Sequence, residues 1–383
     1  MDEHLINSSI ISEDDILRPT HLEIDLNSIC HNFNEIKNLT KRKVMPILKA
    51  NAYGHGLVKI AELMQELNAD YLGVAVLEEA LLLRKNGIKL PVLVLGGIIG
   101  NQIPLYIQND ITITASSVDK LRQIENCAIQ LEKKAKVHLK IDTGMERIGI
   151  HYYSAENLIT ECANTSHIII EGIFTHFADS SSSDPKYTNL QLNRFNEVLN
   201  LFEKHNLPLP EIIHSANSGA ILQHPDSYFN MVRPGIILFG IYPSPEVKRS
   251  IELKPALSWK SKVVYFKVIK PDHPVGYGGT WKTDCNIRAV TAPVGYGDGY
   301  FRSMTGKAEV IINSKCYPVI GTIAMDQIVI NIENDSAYNE DEIILLGRSK
   351  GAEISCEKMA KWAGTIPYEI LTNINTRVPR IYL

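Results

Sequence analysis

The residues of this 383-residue chain with the most chemical potential are lysines, arginines, histidines and tyrosines at the ends of apolar runs. In Pro46-Ile47-Leu48-Lys49-Ala50-Asn51-Ala52-Tyr53-Gly54-His55-Gly56, a lysine stands where an apolar run ends and small, turn-forming residues begin. Desolvation at such a place lowers the amine pKa. A lysine so placed can form a Schiff base with a carbonyl, that of pyridoxal phosphate included. An arbitrary lysine at a strand end more often keeps its ammonium in water, so position alone leaves both readings open. Arg147, just past the run His138-Leu139-Lys140-Ile141-Asp142, offers a planar fork to a carboxylate or phenolic oxygen. His176 closes another run, where a lone imidazole is ordinarily structural. A nucleophilic role for Ser218 fails, because no Gly-x-Ser-x-Gly elbow surrounds it. Gly295-Tyr296-Gly297-Asp298-Gly299 lacks the spacing and strand-helix context of a nucleotide loop.

The Lys49 string resembles the pyridoxal-phosphate attachment motif of alanine racemases, and the similarity runs from Glu23-Ile24-Asp25-Leu26 nearly to Arg377-Val378-Pro379-Arg380. The resemblance implies that Lys49 carries the cofactor and that Tyr53, Asn217, Ser218, Tyr368 and the backbone at Gly235 and Ile236 help hold it, most of them at its phosphate. It places His176 against the pyridine ring and Arg233, in Met231-Val232-Arg233-Pro234-Gly235-Ile236, opposite the pyridine nitrogen. Arginine stays protonated and cannot give that nitrogen a full proton, so the ring is a weakened electron sink, which suits racemisation over side reactions. Arg147 and the backbone of Met325, in Ala324-Met325-Asp326-Gln327, are the implied substrate contacts. Tyr296 and Arg302 match the entrance corridor, and Lys140 matches a position that is carbamylated in relatives. Inversion needs a second acid/base group on the opposite face, and Val275-Gly276-Tyr277-Gly278-Gly279 resembles the segment that carries the family's catalytic tyrosine, which implies Tyr277 for that role; its phenol pKa must be lowered to act near neutrality. In relatives this tyrosine comes from the other subunit, implying a head-to-tail homodimer with shared active sites. Two departures stand out: Gly321-Thr322 replaces the usual Gly-Arg, and Phe239 replaces a tyrosine.

To position these residues the chain needs parallel βα units. β-Branched runs at 44–48, 71–76, 92–95, 111–114, 137–141, 168–174, 211–214 and 236–239 alternate with helical stretches such as 119–131 and 189–204. An open doubly wound sheet has the same periodicity. A (β/α)8 TIM-type barrel over residues 18–242 is the expected solution, and it places Lys49 at a carboxyl strand end. Beyond Tyr242-Pro243-Ser244-Pro245, alternating runs at 257–269, 287–294, 308–312, 327–332 and 343–346 predict a mostly β domain over 243–383. Residues 1–17 are expected to form a tail or an added strand.

The composition of 21% charged and 45% hydrophobic residues is that of a globular protein. A net charge of −4 leaves no excess to attract nucleic acid or anionic membrane. The six cysteines form no Cys-x-x-Cys pair, and no histidine cluster has zinc spacing, so no metal site is expected. Scattered thiols and the absence of a signal-like or membrane-length apolar run point to the cytoplasm. The expected activity is interconversion of L- and D-alanine, whose product would feed peptidoglycan. A serine or broad-spectrum racemase is the alternative on the same scaffold. A barrel decarboxylase would place a carboxylate where Arg233 stands, and a non-catalytic cofactor carrier would need neither the β domain nor Tyr277.

Overall fold

The computed structural model describes residues 17–383. It divides into two units, one of residues 29–52 and 56–254, the other of the remaining described residues. In the first, the short strands Leu72–Val74, Val92–Val94 and Thr112–Ala115 are buried on both faces, as parallel strands under helices must be. They continue in parallel register through Ala135–Asp142, Ile168–Phe174 and Ile212–His214. A parallel pair, Lys43–Val44 with Met231–Val232, closes the ring. On one side Ile47 bridges Gly73, and the Gly73 N–H donates to Pro46 O at 2.9 Å. On the other, the Arg233 N–H donates to Ala216 O at 2.9 Å. These two strands and the six of the main sheet path complete a (β/α)8 barrel.

The eighth stave is therefore Met231–Val232 and not the expected run at 236–239. Ile236–Phe239 is a 3-10 helix ended by left-handed Gly240. Pro234 has no N–H to continue a ladder, and four wholly buried apolar residues read alike as strand or helix.

The second unit is built on a ten-stranded sheet. Ile328–Glu333 alternates buried isoleucines with half-buried or exposed residues, and Leu257–Lys262 buries Leu257, Trp259 and Ser261 in the same rhythm. Its spatial order also incorporates His21–Ile24, antiparallel to Leu257–Lys262 and parallel to Arg380–Tyr382. This corrects the expected domain start, since Leu22 and Ile24 are fully buried in the β sheet. The far boundary also differs. Residues 243–254 stay with the barrel, where buried Asn32 donates to Lys254 O at 2.8 Å and accepts from the Lys254 N–H at 2.8 Å. The expected tail or strand at residues 1–17 lies, but for Leu17, outside the described residues.

Asp298 is the electrostatic hub of the β unit. Its fully buried carboxylate accepts from Arg18 at 2.6 and 2.7 Å, from Arg377 Nε at 2.6 Å and from the Gly295 N–H at 2.9 Å. Burial opposes its charge, but the two arginines and the amide outweigh that and hold its pKa below the usual carboxylate value. Asp298→Ala is expected to cost about 3 kcal/mol in denaturant unfolding, because it leaves two arginines without their shared anion. A folded pKa below the unfolded one means that this stabilisation is complete above about pH 4 and is lost as pH falls through the folded value. The unfolding free energy of the variant should accordingly fall less steeply than that of the wild type as pH is lowered.

Candidate active site

Lys49 opens a backbone conformation rare for non-glycine residues. Ala50, Asn51, Ala52 and Tyr53 all have φ between 52° and 55°, a left-handed turn continued by Gly54. Each such residue costs about 1–2 kcal/mol, so the turn persists only because neighbours specify it. The Ala52 N–H donates to Leu48 O at 2.7 Å, Asn51 accepts from the Gly56 N–H at 2.9 Å on its carbonyl, and its Oδ1 accepts from the Leu57 N–H at 2.8 Å. The turn's first amide, Ala50 N–H, donates to Glu79 Oε1 at 2.6 Å, while Glu79 Oε2 accepts from the Ala75 N–H at 2.8 Å.

Glu79 is the residue that sequence reasoning missed. It sits in the first turn of the helix Leu77–Lys85, where its only sequence signal is an ordinary helix-start acid. Its charge also opposes the shift at Lys49, whose pKa is lowered first by burial and then by Arg147. Glu79→Ala is expected to lower kcat about tenfold and to leave Lys49 more readily labelled by an amine-specific reagent at neutral pH. Unchanged labelling and turnover would show that the carboxylate only caps its helix.

Around Lys49 the barrel gathers cations. His176 is held well below the usual imidazole pKa by burial and then by Arg233, Lys140, Arg147 and Lys49 in turn. Arg233 is buried, with Nη2 donating to Thr175 O at 2.8 Å and Ser215 O at 2.9 Å and Nη1 donating to His214 Nδ1 at 2.9 Å. Burial pulls its pKa down to about 9, so it stays cationic at neutral pH. Lys140 is buried with its amine 4.4 Å from the centre of the Phe174 ring, and burial followed by Arg233 pushes its pKa far down. Arg147 is exposed at the mouth. Its segment is shaped by Asp142, whose carboxylate accepts from the N–H groups of Gly144, Met145, Glu146 and Arg147 at 2.8 to 3.2 Å.

Ser218 begins the short helix Ser218–Gln223, capped by Asn217 Oδ1 accepting from the Ala220 N–H at 3.1 Å. The Gly235 N–H, expected to face a phosphate, donates instead to Ser218 Oγ at 2.9 Å, which leaves the serine hydroxyl proton to be offered onward. The Ile236 N–H lies at the start of the 3-10 helix, where no intrahelical acceptor exists. This donor set fits a phosphorylated aldehyde: a desolvated lysine for the carbonyl, a hydroxyl and amide for the phosphate, and cations for the ring and a substrate carboxylate. Among the described residues no group of carboxylates, histidines and cysteines could hold a metal ion.

The other expected residues lie in the β unit. Tyr53 and Tyr368 face each other with ring centres 6.1 Å apart. Tyr277 is 74% exposed and Met325 51% exposed, and Tyr296 and Arg302 are also exposed. Thr322, which the sequence marks only as a lost cation, donates its hydroxyl to Tyr277 O at 2.9 Å and so holds the tyrosine's loop.

Two family models match the chain, the alanine racemase N-terminal domain over residues 24–243 and the alanine racemase C-terminal domain over residues 256–382. The chain is 41% identical to "Alanine racemase 2" of Caldanaerobacter subterraneus subsp. tengcongensis, with 96% of each chain covered. It is 40% identical to the alanine racemase of Methanococcus maripaludis, covering 96% of this chain and all of that one. Among solved structures, the alanine racemase of Clostridium difficile 630 superposes with a TM-score of 0.91 at 38% identity, with 96% of each chain covered. With both family models matched in order over nearly the whole described chain, and a barrel and β unit to correspond, this chain belongs to the alanine racemase family.

Proposed function

We propose that this protein interconverts L- and D-alanine with pyridoxal 5'-phosphate, Lys49 exchanging the α-proton on the D side and Tyr277 on the L side. The observation that carries the reading is a desolvated Lys49 in the same barrel mouth as a buried Arg233 held by hydrogen bonds from both terminal nitrogens, both residues acting on His176. When bound, the cofactor supplies the electron sink for the negative charge left at Cα. The chain's residues do the rest. Lys49 is positioned by the left-handed turn and kept readily deprotonated by burial, so its amine can take and return a proton. Arg233 presents a fixed positive charge that does not pass its proton on, limiting how far charge is drawn away from Cα. Arg147 offers its guanidinium to the substrate carboxylate, with the Met325 backbone as the second contact. Ser218, Asn217, the Ile236 amide, Tyr53 and Tyr368 hold the phosphate end, and His176 packs on the ring.

The exposure of Tyr277, Met325 and Tyr296 on the β unit supports a head-to-tail homodimer in which these residues complete the site of a second copy. Tyr296 and Arg302 then line the entrance. Cytoplasmic function in D-alanine supply for peptidoglycan fits six free cysteines, and no helix among the described residues is long and apolar enough to cross a membrane.

Lys140 is the candidate for carbamylation. Its amine is buried beside a ring, makes no ion pair among the described residues and is held toward the neutral, CO2-reactive form. The anion formed would orient Arg147 and relieve the crowding of cations. Carbon-13 NMR in labelled bicarbonate is expected to show a carbamate signal that Lys140→Ala abolishes. Its absence from the wild-type protein would leave Lys140 an unmodified buried amine.

The reading as a whole is tested by visible absorption of purified protein followed by polarimetry with L-alanine and then L-serine. A lysine-linked cofactor band with rapid loss of alanine rotation is the expected result. Faster loss with serine would reassign the substrate, and a band with stable rotation would overturn racemisation.

A further inference from the structure

Besides its bonds to Thr175 O and Ser215 O, Arg233 begins a chain of side chains that runs away from the site into the barrel. Its Nη1 donates to His214 Nδ1 at 2.9 Å, and His214 Nε2 lies 2.9 Å from His138 Nδ1. Both imidazoles are fully buried. Arginine only donates, so His214 Nδ1 must accept, which puts the His214 proton on Nε2. That proton in turn requires His138 Nδ1 to accept, so the His138 proton is also on Nε2. The order of donors is thus dictated from the arginine end. At the other end, His138 Nε2 has no hydrogen-bond partner among the described residues. Its aromatic neighbour Tyr71 has its hydroxyl engaged by Thr112 and Glu171.

A second, independent feature of the sheet points the same way. His138 and His214 are on strands that are not adjacent, and Ile168–Phe174 runs between them. In register, Gly172 lies beside His138 and Phe174 beside His214. A Cβ at Gly172 would come within 2.6 to 2.8 Å of the His138 ring. The φ of Gly172 lies outside the positive region, so the glycine is needed for space and not for backbone conformation. The missing side chain is what lets the His138 ring lie across the intervening strand. The buried Nε2–H left without an acceptor is a cost the chain bears, and a leucine at 138 would avoid it.

We propose that His138 is a positioning residue for Arg233, acting through His214: by accepting the His214 Nε2 proton across Gly172 it keeps His214 Nδ1 free to receive the arginine. The functional part of this inference rests on the racemase reading, whereas the tautomers do not. Both imidazoles stay neutral in the working pH range. Burial and then Arg233 lower His138 to about 3, and burial, Arg233, His138 and Lys140 hold His214 well below the usual value.

The test has two arms. In the first, nitrogen-15 NMR of histidine-labelled protein, assigned with His138→Asn and His214→Asn, is expected to show both rings as neutral Nε2–H tautomers with no titration between about pH 6 and 8. A proton on His138 Nδ1 or His214 Nδ1 overturns the proposal whatever the protein's activity. In the second arm, His138→Leu and Gly172→Ala are each expected to lower kcat about tenfold, the worth of one hydrogen bond to a charged group, with KM for alanine nearly unchanged. His138→Asn keeps an acceptor near the Nδ1 position and is expected to recover most of that loss. Gly172→Ala retains both histidines, so its loss reports the crossing itself. Full turnover in both His138→Leu and Gly172→Ala would overturn the proposal. So would an equal loss in His138→Asn and His138→Leu, which would reduce His138 to a packing residue. Failure of wild-type protein to racemise any amino acid would sink the racemase reading and leave the tautomer arm to decide the relay.

Discussion

A Lys49→Ala variant is expected to lose racemisation of alanine by about 10⁴-fold or more and to lose the visible absorption of lysine-linked pyridoxal phosphate. Two contributions vanish together. One is the amine that bonds the cofactor's carbonyl, and the other is a proton-transfer group of the kind that alone contributes about 10²–10⁴-fold. The geometry explains why no neighbour can substitute. Lys49 is fixed at the start of a left-handed turn pinned by Leu48 O, Asn51 and Glu79. Lys140, whose amine is buried, is held over Phe174 on a different strand. Because the Lys49 side chain is half-buried at the barrel mouth and no ion pair or hydrogen bond links its amine to another of the described residues, thermal unfolding of the cofactor-free variant should match that of the cofactor-free wild type. Small amines such as methylamine should restore part of the turnover. More than a tenth of wild-type activity in the unrescued variant would end the assignment of Lys49.

Tyr277→Phe is expected to lower racemisation by about 10²–10⁴-fold in both directions, since a complete turnover uses both faces of Cα. Lys49 should remain competent on its own side, so the variant should still exchange the α-hydrogen of D-alanine for solvent deuterium without producing L-alanine. Full racemisation in both directions would refute the two-base assignment. The same variant tests where the second base comes from. Tyr277 is largely exposed on its own chain, and under the proposed homodimer each site takes Lys49 from one chain and Tyr277 from the other. Refolding a mixture of Lys49→Ala and Tyr277→Phe chains should then regain about a quarter of wild-type activity, because half the dimers are mixed and each holds one intact site. No recovery would mean that both groups come from the same chain.

The residues proposed as the chemical core of the site are legible in the sequence, because they are tied to short strings. Lys49 and the turn residues after it, Arg147 after Asp142, and Arg233 before Pro234-Gly235 announce themselves through local spacing. The barrel and β unit are legible for a related reason: hydrophobic periodicity is a local property, and buried parallel strands differ from half-exposed antiparallel ones in pattern. Errors fall where local pattern is degenerate. The run at 236–239 is buried on all sides as a 3-10 helix, whereas the true stave at Met231–Val232 is only two residues long. Lys315–Ile320 does not read as a strand, since Cys316 and Pro318 weaken its pattern, and only pairing with Glu309–Ile312 and Ile328–Glu333 reveals it.

Other features have no local signal at all. His21–Ile24 alternates as any short strand would, and nothing in it says that its partners are Leu257–Lys262 and Arg380–Tyr382. Asp298 looks like part of a glycine-rich loop until Arg18 and Arg377 converge on it. Glu79 looks like a helix-start acid until the Lys49 turn meets it, and His138 like a core histidine until the gap at Gly172 opens it to His214. The linear order of residues specifies which groups are present, where strands and helices begin, and what chemistry a strand-end lysine or a buried arginine can support. Folding alone brings together groups far apart in the chain, and it does so through register, twist and the volume of single side chains. A pKa, a tautomer or a left-handed turn is set by such neighbours, so these properties of the site belong to the folded chain and not to any one stretch of it.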